Sequence, residues 1–88
     1  MGMRSGTLEA NLKRWAAEIL DEKSNRSGFA RTRTVIGKMK RAEDARPDPV
    51  ACDIISQHRD GLTRALAAAN WYAVERAAKH MDENIIYN

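Results

Sequence analysis

The chain has 88 residues, 15 Lys plus Arg against 12 Asp plus Glu, a formal net charge of +3, one Cys and 43% hydrophobic residues, of which alanine is the commonest. That length supports one small core and no second domain, so residues 1–88 are expected to form a single domain of marginal stability. A lone cysteine excludes an internal disulfide, and two His with one Cys argue against a four-ligand structural zinc site; close helix packing, a homodimer or another partner is left to supply stability.

Residues 1–6 read as a flexible start without the apolar run of a signal peptide, and no later stretch has the 18 or so apolar residues of a membrane span. A soluble, cytoplasmic chain is the expectation. Leu8, Leu12, Trp15 and Ile19 then recur at helical spacing, predicting a first helix over residues 8–23 with Thr7 as its N-cap. Trp15 falls inside that stripe and is read as a core anchor before a binding residue. The turn-forming cluster Ser24-Asn25-Arg26-Ser27-Gly28 opens a connecting segment over 24–33. Val35, Ile36, Met39 and Ala42 can share one face of a short second helix over 34–44, with Gly37 opposing it by about 1 kcal/mol.

A second connection over 45–48 contains Pro47 and ends in Asp48-Pro49, an N-cap followed by proline at the first helical position. The third helix is expected over 49–59, and Asp60-Gly61 either ends it or is passed through. Beyond lie two apolar series, Leu62, Ala65, Leu66 and Ala69, then Trp71, Val74, Ala78, Met81 and Ile85. They do not fall on one line, so either the helix breaks near Asn70 or one helix is apolar over a broad face. No alternating β-branched run suggests a strand. The predicted fold is therefore all-α, a small bundle of about four helices, with a dimer as one way to cover its alanine-rich faces.

Motifs for chemistry are absent. His58 and His80 are 22 positions apart and in no His-Glu-x-x-His pattern, Cys52 sits beside Asp53 without cationic neighbours, and the glycines are scattered singly. Asp82-Glu83 lacks the further oxygen ligands a cation needs. The sequence thus predicts no enzyme and no cofactor. What stands out is residues 23–46, where eight basic residues face two acidic ones while the rest of the chain is acidic overall. Arg26, Arg31, Arg33, Lys38, Lys40 and Arg41 are the candidate nucleic-acid contacts, since Lys and Arg neutralise phosphates and release counterions. The alternative is a solvated cationic segment, or one paired with this chain's own carboxylates. Trp71, Tyr72, Val74 and Met81 are the candidate partner or dimer contact.

In sequence order, Leu8-x-x-x-Leu12-x-x-Trp15, the Gly28-Phe29 turn, the basic stretch through Thr34 to Lys40, the Asp48 start and Ala73-Val74-Glu75-Arg76-Ala77-Ala78-Lys79-His80-Met81 resemble the phage late-gene antitermination proteins of the Q type. The resemblance implies a regulator of transcription whose partners are duplex DNA and RNA polymerase, and it makes 73–81 similar to the first helix of a helix-turn-helix. Ile85-Ile86-Tyr87 is too short for a full recognition helix. The implied member is shortened or diverged, keeping backbone or protein contacts. Other expectations are a protein-only module, such as a small phage inhibitor of a host protein, and a structural homo-oligomer.

Overall fold

A computed structural model describes residues 3–22, 28–45 and 48–83. They form four helices: α1 (Met3–Leu20), α2 (Ala30–Ala45), α3 (Pro49–Ala67) and α4 (Trp71–Glu83). No strand occurs among the described residues. The chain is an all-α four-helix bundle.

The helix ends show which local signals decide. Asp48 is the N-cap of α3, its Oδ1 accepting from Val50 N–H at 3.0 Å, and Pro49 takes the first helical position. Both were legible in sequence. Instead of stopping near Arg59, α3 runs through Asp60-Gly61 to Ala67. A mid-helix glycine costs about 1 kcal/mol, less than is gained by burying Leu62 and Ala65 on the next turns. Of the two readings for 60–86, the break is the one observed. Ala68 N–H donates to the Arg64 carbonyl at 3.1 Å and Ala69 N–H to Leu66 at 2.9 Å, with Ala69 in the left-handed region at φ 53°. Asn70 then caps α4, its Oδ1 accepting from Tyr72 N–H at 2.9 Å.

Two starts differ from expectation. The first helix begins at Met3, so Thr7 is an interior residue and not the N-cap, and residues 3–6 are helical. Gly6 alone is too weak a breaker to stop a helix whose later turns are anchored in the core. It ends at Leu20, three residues short of Lys23, because Glu22 turns inward. Glu22 is 5% exposed, and its Oε1 accepts from Arg31 N–H at 3.0 Å. That carboxylate caps α2 from nine residues away and favours the positive end of its dipole. With this cap α2 starts at Ala30, so residues 30–33 are helix and not connection. The preceding Phe29 adopts φ 52°, a conformation that costs a side-chain-bearing residue about 1–2 kcal/mol. Burial of its ring offsets that cost.

Each helix contributes one face to a single core. Leu12, Trp15 and Ile19 of α1 meet Val35 and Met39 of α2, Ile54, Ile55 and Leu62 of α3, and Val74, Ala78 and Met81 of α4. Ala16, Ala51, Ala65 and Ala78 are buried, which is how small side chains let helices approach closely. The most extensive packing is between α1 and α4 and between α2 and α3. A half-buried ion pair reinforces the second seam, the Arg59 guanidinium gripping both Glu43 carboxylate oxygens.

Candidate functional site

The basic residues of α2 fall on two different sides of that helix. Thr32, Val35 and Met39 mark its buried face. On the flank turned toward α1 are Arg31 and Lys38, seven positions apart and so two turns along one side. Lys38 Nζ lies 3.1 Å from Glu18 Oε1, and Arg31 Nη1 lies 3.9 Å from Asp21 Oδ2. These two cations are answered within the chain. Such exposed pairs contribute about 0–1 kcal/mol each; their importance is that they draw two charges away from any outside ligand.

Arg33, Lys40 and Arg41 point outward and are exposed. Positions 33, 37, 40 and 41 follow the i, i+4, i+7, i+8 pattern of one helical stripe, which places Gly37 among the three cations. Lys40 Nζ is 3.7 Å from Asp44 Oδ1 one turn on, with both side chains mostly exposed. Arg33 and Arg41 form no ion pair among the described residues. A methyl group built on Gly37 would meet Arg41 Nη1 at 3.8 Å, so the Arg41 guanidinium folds back toward the glycine. Beside the α1 flank, Glu18, Ala30, Arg31 and Thr34 line an open cleft. The hydroxyl of Thr34 donates to the Ala30 carbonyl at 3.0 Å, and the Arg31 amide is already taken by Glu22.

Of the six basic candidates, the fold thus brings Arg33, Lys40 and Arg41 together outside and turns Arg31 and Lys38 toward α1. Arg26 lies outside the described residues. The signal for this division was present in the helical phase of the cations, but it needed the helix to start at Ala30.

The candidate partner contact divides as well. Val74 and Met81 are fully buried in this chain's own core and are not surface residues. They share the inner stripe of α4 with Ala78, spaced so that each faces α1 or α3. Trp71 is half-buried, and Tyr72 is 77% exposed.

Other titratable groups are spread over the described helices. His58 is 6% exposed, and burial first, then the positive charge of His80, holds its imidazole below the ordinary 6.5. Its Nε2 has no hydrogen-bond partner among the described residues. Cys52 Sγ donates to the Glu43 carbonyl at 3.3 Å. Asp82 faces Lys13, whose Nζ reaches its carbonyl at 3.0 Å. No group of three or more His, Cys, Asp or Glu gathers to hold a metal ion among the described residues. Among the described residues no helix is long and apolar enough to cross a membrane.

Compared with protein-family models, with curated proteins and with solved structures, the chain has no match. The fold and the α2 surface therefore define the class by themselves: a small four-helix bundle with a sorted cationic helix.

Proposed function

We propose that this bundle is a non-enzymatic regulator of phage or bacterial origin that holds duplex DNA, alone or within a transcription complex containing RNA polymerase, through the outer stripe of α2. One observation carries the reading: Arg33 and Arg41 extend from one exposed helical side with no carboxylate answering them among the described residues, whereas Arg31 and Lys38 on the adjoining flank are answered. An Arg without an internal partner is available to a phosphate, and each phosphate neutralised adds salt-dependent affinity. The order of features shared with the Q-type antitermination proteins supports the same partners.

Titrating the protein against duplex DNA at low and moderate salt tests this. Binding should weaken with salt, and Arg33→Ala with Arg41→Ala should flatten the slope of log affinity against log salt by roughly 0.9 for each phosphate no longer neutralised. The Arg31→Ala, Lys38→Ala variant should keep the wild-type slope. No binding at low salt, or a larger loss from the second variant than from the first, would refute the proposal.

A protein-only module is the second reading, favoured by the exposure of Tyr72 beside half-buried Trp71 at the start of α4. It requires that activity survive loss of Arg33 and Arg41 but not Tyr72→Ala. Self-association through that face makes the homodimer a variant of this reading.

A further inference from the structure

We infer that Gly37 is the floor of a phosphate clamp, over which one phosphodiester of a DNA duplex backbone is held between Arg33 and Arg41. This rests on the reading of α2 given above and specifies how the duplex is seated. The three residues stand at i−4, i and i+4 on the outer stripe, so each arginine is one turn, roughly 6 Å, from the glycine along the helix. A guanidinium reaches that far: Arg41 leans back toward position 37 along the helical direction of its side chain, and the clamp closes when Arg33 swings over the glycine from the other side. The folding back of Arg41 toward Gly37 shows that one half of the clamp already closes in the free protein.

Nothing among the described residues explains the glycine. It sits in the middle of a 16-residue helix, it does not have a positive φ, and a methyl group would fit there at ordinary contact distance. Glycine in a helix interior is unfavourable unless something must come close to the backbone. Packing within the bundle makes no such demand at this position, whereas a phosphate drawn down between two arginines does. Lys40, on the same stripe, is answered by Asp44 and lies at the edge of the seat, so the two arginines carry the clamp. Gly61, inside α3, supplies the contrast: it also has open space around it, but Arg64 next to it on α3 is bridged to Asp60 at 3.4 Å.

The experiment compares Gly37→Ala, Gly37→Gln and Gly61→Ala with the wild type for melting temperature and for affinity to a duplex at low salt. Gly37→Ala should melt higher, because alanine favours the helix, and yet bind DNA more weakly, by roughly threefold, with Gly37→Gln weaker by roughly tenfold. Gly61→Ala should also melt higher and bind as the wild type does. A gain in stability joined to a loss of binding is an outcome that a purely structural glycine cannot produce. Should Gly37→Gln fold poorly, Gly37→Ala decides alone. If the Gly37 variants bind like the wild type while Arg33→Ala and Arg41→Ala weaken binding, the clamp is wrong and the α2 stripe stands. If the wild type itself binds no duplex at low salt, the reading of α2 falls and takes the clamp with it.

Discussion

His58 shows how a single residue can report on the state of the bundle. Its imidazole is buried on the inner face of α3, with Nε2 unpartnered among the described residues and its affinity for a proton lowered by burial and by His80. In the unfolded chain it titrates near 6.5. Between that value and its lowered folded value the unfolded state binds more protons, so stability rises with pH there. The contribution is complete above about pH 6.5 and is lost as the pH falls through the folded value. Melting temperature should drop as the pH falls below about 6.5, and the drop should be shallower in His58→Leu. Equal declines in both proteins would show that other groups are responsible. The apolar phase of His58 was visible in the sequence, between Ile55 and Leu62. Its missing hydrogen-bond partner was not, because that depends on what three other helices bring near it.

The joint between α3 and α4 is made from Ala68, Ala69 and Asn70. Asn70 is a good N-cap for α4, but Ala69 carries a side chain into the left-handed region where glycine is normally found. Ala69→Gly should therefore stabilise the protein, by roughly 1 kcal/mol, even though it adds glycine between two helices. A rise of a few degrees in the melting temperature checks this, and a fall would mean that the joint is not strained. At this scale the sequence was a partial guide. Asp48-Pro49 specified the start of α3 because cap and proline act within a few residues of each other. The start of α2 was missed by four residues because its cap, Glu22, lies across the preceding turn. Gly61 looked like a stop and was not, since the signal against helix there was weaker than the apolar residues beyond it. The candidate site suffered from the same error: with α2 begun too late, Arg31 and Arg33 looked like neighbours on a loop, whereas on a helix they point to different sides.

For the molecule as a whole, alanine-rich packing leaves little surplus stability. A chain of this length is stable by about 4–13 kcal/mol at the usual 0.05–0.15 kcal/mol per residue. Ile55 is fully buried at the centre of the core, and Ile55→Ala should remove about 3 kcal/mol through forfeited transfer energy and the cavity left behind. The midpoint of thermal unfolding should fall by roughly 12–24 °C, read by circular dichroism at 222 nm as loss of helix. A shift of only a few degrees would mean that the surrounding helices collapse onto the vacant volume. The fold class, helix number and most of the core were legible because amphipathic spacing is a property of the chain itself. Whether a helix meets solvent or a neighbour on its polar side is not, and for α2 that difference divides the cations into two sets.

The division makes α2 sensitive to phase. Residues advance by about 100° around a helix, so a one-residue insertion between Glu22 and Ala30 that was absorbed by rotating α2 would carry its inner residues toward solvent and its outer cations toward the core. Exchanging Arg33 with Thr32 would drive an arginine into the layer formed by Val35 and Met39, at constant composition and constant net charge. Exchanging Arg33 with Asp44 would keep the arginine on the outer side and remove the carboxylate that answers Lys40. Two variants with the same composition can thus differ completely in the surface they offer, and the angular position of each charge is the variable by which changes in this helix should be judged.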